Sequence, residues 1–327
     1  MSKALLQVRD LRTHFETRAG TIKAVDGISF TLERGEILGL VGESGSGKSV
    51  TGFSLIGLLD APGRIAGGSV LFDRQELVGL PQSEMRKLRG KRIAMIFQDP
   101  AATLNPVLTI GQQMAMAVQA HGGGGDGAAL ALAARSLTRV GIPDAAARLN
   151  AYPHEFSGGM RQRVAIAIAL LHEPELIIAD EPTTALDVSI QAQILAEMKM
   201  LAQGSGTALI WISHDLAIVS SLADRVIVLY LGRIVEYGPV RDVLRAPLHP
   251  YTRGLLDSLP ALAAPGQKLM QIPGSTPSPL NVPPGCPFAP RCSHATELCR
   301  SEPPGVGDER HGAFCHHPLN ASGGPNA

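Results

Sequence analysis

The chain has 327 residues, enough for one large domain and a smaller one. Apolar residues make up 45% of it, and 29 basic residues balance 29 acidic ones to a formal net charge of zero. That balance argues against nucleic acid as the main partner, since such proteins carry a basic excess, and no charge-free apolar run is long enough to span a membrane.

The first residues contain no apolar segment of the signal-peptide kind, so a cytoplasmic chain is expected. Residues 4–35 read as strands and turns, with partial two-residue alternation over 5–11 and 24–32. The apolar run 36–41 reads as a buried strand. Residues 42–49, G-E-S-G-S-G-K-S, follow it, and the pattern predicts a helix from Lys48 to about Leu59. Residues 68–72 predict a strand, Pro81 to Arg89 a charged helix, and 93–97 a buried strand ending at Gln98. A largely helical stretch runs from about Ile110 to Leu170, interrupted by a Gly-rich loop at 121–127. Buried strands are expected at 176–179 and 208–213, with a helix at 190–203 between them. Residues 225–230 and 233–237, separated by Leu231 and Gly232, carry a hairpin signal. Beyond about Pro250 proline becomes frequent, and a domain boundary is placed there. The expected division is 1–250, an extension at 251–319, and a disordered tail at 320–327.

Residues 42–49 fit G-x-x-x-x-G-K-[ST], the phosphate-binding loop, in strand–loop–helix context. Gly42, Gly45 and Gly47 let backbone N–H groups of Glu43, Ser44, Ser46 and their neighbours turn inward around an anion. The helix start adds partial positive charge there. Lys48 is expected on the β- and γ-phosphates and the Ser49 hydroxyl on Mg²⁺. The apolar run 176–179 ends in Asp180 and Glu181. One carboxylate at a strand end can hold Mg²⁺ and the second can act as general base, so Asp180 is assigned to the metal and Glu181 to the attacking water. Ser157, an N-cap, and Gly158 and Gly159 expose N–H groups at a helix start, a second anion site.

Ser157-Gly158-Gly159 ahead of Asp180-Glu181 resembles the ATP-binding cassette (ABC) ATPases, and further elements fall in family order. Gln98 looks like the Q-loop glutamine, which also reaches Mg²⁺. Asp187, after Ala185 and Leu186, looks like the D-loop. His214 looks like the switch histidine, and Phe15 sits where the family places an adenine-stacking aromatic. The resemblance implies an α/β fold: a P-loop NTPase cassette with a RecA-like core, an antiparallel β subdomain and a helical signature subdomain. It also implies ATP and Mg²⁺ as ligands. Cassettes of this kind dimerise head-to-tail, so Ser157, Gly158 and Gly159 would face the partner's ATP. Gln98 would sense the γ-phosphate, and His214 would hold it together with the water. One position departs from the family: Met160 stands where glutamine is common.

Residues 97–100 (F-Q-D-P), 104–110, 156–163 and 249–256 are similar to the bacterial oligopeptide/dipeptide importer ATPases, as are 285–292 with Cys299 and Cys315. Met160 is more like the D-type of the two ATPases such importers use. The resemblance implies a heterodimer with an F-type partner, two membrane permeases and an extracytoplasmic substrate-binding protein. The chain would then sit on the cytoplasmic face of the bacterial inner membrane. Nickel, glutathione or opines are alternative cargoes. A soluble ABC ATPase of DNA repair or translation is a remote alternative. Repair types need a long coiled coil between Lys48 and Ser157, and translation types need two cassettes.

All the cysteines, Cys286, Cys292, Cys299 and Cys315, lie in the extension. In a reducing compartment a metal or cluster site is the better reading than disulfides. Their spacing is not the short C-x2-C of zinc ribbons. Four thiolates can hold a [4Fe–4S] cluster, which importers of the resembled kind carry. Zinc is the alternative, with His294, His311 or His316 nearby.

Overall fold

The computed structural model describes residues 4–183, 186–259, 270–305 and 310–319. The expected disordered tail at 320–327 lies outside them. Contacts divide the chain into two units. The first takes the described residues up to 32, those from 37 to 78, and those from 211 onward; the second takes 33–36 and 79–210. The residues after 250 therefore cluster with the phosphate loop.

In chain order the first unit opens with β1 (Ala4–Thr17), β2 (Gly20–Glu33), β3 (Ile37–Val41), α1 (Lys48–Leu55), β4 (Gly63–Phe72) and β5 (Gln75–Glu76). A four-stranded sheet has the order β2-β1-β4-β5. β1 and β4 pair antiparallel from Leu6–Phe72 to Phe15–Gly63, with a register shift between Arg9 and Arg12. All five residues of β3 are buried, as expected of a parallel strand covered on both faces.

Helix α1 is shorter than its sequence pattern, ending at Leu55 rather than near Leu59. Gly57 takes φ 60°. The Gly57 N–H reaches Ser54 O at 3.2 Å and the Leu58 N–H reaches Phe53 O at 2.9 Å. This pair of bonds is a Schellman stop, which a glycine just past the last turn favours.

The second unit contains α2 (Gln82–Leu88), β6 (Ile93–Ile96), α3 (Pro100–Thr103), α4 (Ile110–Gln119), α5 (Asp126–Arg139), α6 (Ala145–Arg148), α7 (Gly158–Ala169), β7 (Leu176–Asp180) and α8 (Val188–Ser205). β6 and β7 are parallel, in register from Ile93–Leu176 to Ile96–Ala179. Helix α4 starts in a capping box: Thr109 Oγ1 accepts from Gln112 N–H at 3.2 Å, and Thr109 N–H donates to Gln112 Oε1 at 2.9 Å. Ile110, Met114 and Val118 of α4 and Ala129, Ala133 and Leu137 of α5 are buried at the i, i+4 spacing of one helix face. The glycine-rich loop ends earlier than expected, because α5 already begins at Asp126. Asp126 sits in the first turn, where a carboxylate is favoured, and accepts from Gln119 Nε2 at 2.6 Å.

β8 (Ala208–Ser213) crosses the division, its first three residues falling in the second unit and its last three in the first. The first unit resumes with α9 (Leu216–Leu222), β9 (Arg225–Tyr230), β10 (Arg233–Pro239), α10 (Val240–Arg245), α11 (Pro250–Asp257), α12 (Glu297–Ser301) and β11 (Gly312–Ala313). β9 runs parallel to β3, from Leu38–Arg225 to Val41–Val228, and antiparallel to β10. The expected hairpin is present. Leu231 and Gly232 have φ 46° and 76°, the positive pair a two-residue turn of this twist requires.

The extension is fastened to β10. β11 pairs with it at Glu236–Ala313 and Tyr237–Gly312. Glu236, fully buried, accepts from Leu248 N–H at 2.8 Å, His249 N–H at 2.9 Å and the His311 ring at 2.9 Å. Removing this carboxylate strands two backbone donors at roughly 1–3 kcal/mol each. Glu236→Ala is therefore expected to destabilise the fold by about 2–6 kcal/mol, seen as a lower urea midpoint. An unchanged midpoint would show that water takes over these bonds.

Candidate functional site

The phosphate loop begins where β3 ends. Gly42 has φ 153°, and a Cβ there would lie 2.3 Å from Leu229 O. Gly47, the residue before α1, has φ 100°, and its Cβ would lie 2.4 Å from Ala24 O. Both positions admit only hydrogen, so the motif glycines are demanded by sterics as well as by φ. The β9–β10 turn supports the loop from behind: Gly232 N–H donates to Ser46 O and Asp26 N–H to Gly232 O, both at 2.9 Å. Sequence reading gave Gly232 a hairpin role and missed this second one, because its partner is remote in sequence.

Lys48 is 5% exposed, and its ammonium donates to Gly42 O at 2.8 Å and Glu43 O at 2.9 Å. The Ser46 hydroxyl is buried with no protein partner. An unpaired buried hydroxyl is costly, and here it lies in a loop whose glycines keep side-chain bulk out. Ser49 is in the first turn of α1, while Ser44 and Gly45 are exposed. These features fit a phosphate chain. A cavity of about 810 Å³ in the same unit lies elsewhere, against Arg12, Asp26, Phe30, Arg233, Tyr237 and Phe314; no phosphate-loop residue lines it.

Phe15 is in β1 opposite Gly63, where a Cβ would come within 2.6 Å of its ring. His214 follows β8 and is exposed. The next residue, Asp215, caps α9 by accepting from Ala217 N–H at 2.8 Å. Phe15, His214 and the phosphate loop all belong to the first unit.

In the second unit Asp180 closes β7 and is 2% exposed. Glu181 follows with φ 45°, a left-handed conformation that is uncommon outside glycine and recurs at functional positions. Gln98 Nε2 donates to Glu181 Oε2 at 3.2 Å. Two residues far apart in sequence, predicted separately, are thus brought together. Asp180 is an oxygen donor of the kind Mg²⁺ takes, as is the Ser49 hydroxyl.

Ser157 is the N-cap of α7, accepting from Met160 N–H at 3.3 Å. Ser157 and Gly158 are exposed, and a Cβ at Gly158 would meet nothing. This helix start presents N–H groups outward. A Cβ at Gly159 would lie 3.3 Å from Leu186, so the D-loop leucine packs under the signature. Asp187 caps α8, accepting from Ile190 N–H at 3.0 Å and Ser189 Oγ at 2.7 Å. The Ile190 N–H bond is the main cause that holds its carboxyl below the ordinary value. Ala185 lies outside the described residues.

The four cysteines of the extension line one cavity of about 10 Å³ with His249, Phe288 and His294. Among the described residues no group of three or more His, Cys, Asp or Glu side chains is set to hold a metal ion. The thiols are packed as apolar groups: burial pushes Cys286, Cys292 and Cys315 up, Cys315 to about 12. His311, a candidate helper, is instead bound to Glu236. His249, which the sequence marks only as the start of a family-like segment, is 1% exposed, and burial holds it neutral with a pKa of about 3. Its Nδ1 accepts from Tyr251 N–H at 3.0 Å, so Nε2 carries the proton, and Nε2 has no partner. A donor without an acceptor therefore lies in the wall of a cavity lined by four sulfurs. Four thiols are, by residue type alone, a donor set that a cluster can use.

Comparison with known proteins agrees with this geometry. Residues 25–184 match the ABC transporter family, and residues 235–299 match the oligopeptide/dipeptide transporter C-terminal region. The chain is 52% identical to the oligopeptide transport ATP-binding protein OppD of Escherichia coli K12, over 92% of this chain and 89% of that protein. It is 46% identical to the dipeptide transport ATP-binding protein DppD of the same strain, over 98% and 99%. Among solved structures, the ATP-binding cassette MJ0796, a dimer in a post-hydrolysis state bound to ADP and Pi, superposes with a TM-score of 0.66 at 28% identity. That match covers 72% of this chain and 99% of MJ0796. The α/β cassette fold expected from the motifs is the fold observed.

Proposed function

The chain belongs to the ABC transporter family, and from that premise we propose that it is the ATP-hydrolysing subunit of a peptide importer. The observation that carries the reading is the presence, in one chain, of a sterically defined phosphate loop and an exposed signature helix start. Each supplies half of what a triphosphate needs, and two chains set head-to-tail would complete two sites. The similarity to OppD and DppD supports peptides as the cargo.

In this reading the loop N–H groups and Lys48 bind the β- and γ-phosphates, and Phe15 packs on the adenine. Ser49, Asp180 and Gln98 hold Mg²⁺, which neutralises phosphate charge when bound. Glu181 takes the proton of the attacking water while Gln98 orients it. His214 holds the γ-phosphate. Ser157, Gly158 and Gly159 donate to the partner's γ-phosphate, so ATP closes the dimer and hydrolysis releases it. The Met160 side chain lacks an amide, but the N–H groups of this helix start do not depend on it.

The partner is a second, non-identical cassette of F-type, and the pair docks on two permeases fed by a substrate-binding protein. The permeases hold the chain at the cytoplasmic face; no helix among the described residues is long and apolar enough to cross a membrane. The four cysteines hold a [4Fe–4S] cluster as a structural staple for a tail with little core of its own. Anaerobic purification should yield iron and acid-labile sulfide; one zinc per chain and no iron would refute the cluster. The functional reading is tested by co-purification from native membranes. It predicts two integral permeases and a second cassette, and recovery with soluble partners alone would overturn it.

A further inference from the structure

We propose that Arg291 is a positioning residue for the phosphate loop, through which the cysteine-bearing extension sets the affinity for ATP. The inference rests on the ATP reading above and goes beyond it. Its centre is Glu43, the residue after the first motif glycine. Arg291 grips the Glu43 carboxylate with two nitrogens, at 2.6 and 3.1 Å. The Thr276 hydroxyl donates to the same carboxylate at 3.1 Å. The Glu43 N–H donates to the Tyr251 hydroxyl at 2.8 Å. Both the side chain and the backbone of this loop residue are thus held by residues of the extension. The Glu43 carbonyl in turn receives the Lys48 ammonium, so the contact reaches the residue expected on the phosphates.

The grip is rigid. The Arg291 side chain is 5% exposed. Its Nε donates to Pro273 O at 3.0 Å, and one terminal nitrogen also reaches Tyr230 and Thr276. Every arm of the fork is used, which fixes the guanidinium better than a lysine could. The bond to Glu43 holds Arg291 above the ordinary arginine value, fully charged. The other end of the grip is the cysteine cavity. Arg291 immediately precedes Cys292, and Tyr251 follows His249 by two residues; Cys292 and His249 both line the cavity. The turn carrying Arg291 is closed by Ala289 N–H to Cys286 O at 3.0 Å and Cys292 N–H to Ala289 O at 3.3 Å.

Two physical effects follow. A loop that binds phosphate through backbone N–H groups must be ordered before the ligand arrives, and Arg291 with Tyr251 orders it. A carboxylate beside a triphosphate repels it, and Arg291 neutralises that charge. A cysteine module that loosens would release Glu43 and weaken ATP binding through both effects.

The test measures equilibrium binding of a fluorescent N-methylanthraniloyl ATP by the full-length chain with Mg²⁺. Arg291→Ala should weaken binding roughly tenfold or more, the scale of a lost charge-assisted hydrogen bond. Arg291→Lys should recover part of the loss. Adding Glu43→Gln to Arg291→Ala should tighten binding again, because the unpaired carboxylate is gone. A purely structural arginine would not give that recovery. Cys292→Ser should weaken binding more when Glu43 is present than in the Glu43→Gln background, where only the ordering effect remains. Binding by Arg291→Ala within twofold of wild type, or no recovery in the double variant, overturns the proposal. Should Arg291→Ala fail to fold, the Cys292→Ser comparison decides, and equal effects in the two Glu43 backgrounds overturn it. A wild-type chain that binds no nucleotide would instead sink the ATP reading itself.

Discussion

Glu181→Gln is expected to remove ATP turnover from the assembled transporter by roughly 100–10,000-fold, the usual contribution of a positioned general base, while ATP binding persists. The residue follows a fully buried strand that ends in Asp180. Its backbone is held at φ 45°, which aims the carboxylate away from the direction the strand would otherwise give it. Such a conformation costs of order 1–3 kcal/mol and persists where the surroundings impose it. Gln98 holds one carboxylate oxygen at 3.2 Å, and a glutamine at 181 keeps that hydrogen bond and the shape. It loses only the ability to accept a proton. The dimer should therefore bind ATP and stay closed, accumulating with uncleaved nucleotide. Turnover within a few-fold of wild type would remove Glu181 from the chemistry.

Lys48→Ala is expected to act earlier, on binding itself. The ammonium is 5% exposed and donates to two loop carbonyls, at 2.8 and 2.9 Å. It therefore orders the loop and carries the charge expected to meet the phosphates. A charge-assisted hydrogen bond contributes about 1.5–3 kcal/mol, so loss of affinity of roughly 10- to 150-fold is expected. Titration with the same fluorescent nucleotide would read it. Wild-type affinity with lost turnover would make Lys48 a group for the transition state alone. The two variants thus separate binding from chemistry.

What could be read from the sequence was local. The phosphate loop, the Ser157 cap and the 231–232 turn each depend on a few adjacent residues with fixed stereochemistry, and all three are formed as their residue types require. The end of α1 was also written locally, in Gly57, but the apolar pattern beyond it masked the stop. The meeting of Gln98 with Glu181 spans 83 residues, and no local spacing carries it. The grip of Arg291 on Glu43 spans 248 residues, and no periodicity carries such a contact. The shift to proline-rich sequence after 250 marks a change of composition, yet Tyr251, Arg291 and β11 all bond to the part of the chain before it. The place of His249 in the cysteine cavity was not legible, because a histidine ahead of a proline reads as a helix start, which it also is.

The most direct test of the account is uptake of a labelled tripeptide into vesicles reconstituted with this chain, its co-purified cassette and permeases, and the binding protein. The account predicts accumulation that requires ATP on the cassette side and disappears with Glu181→Gln. Accumulation at the same rate with the Glu181→Gln chain, or without ATP, would contradict it.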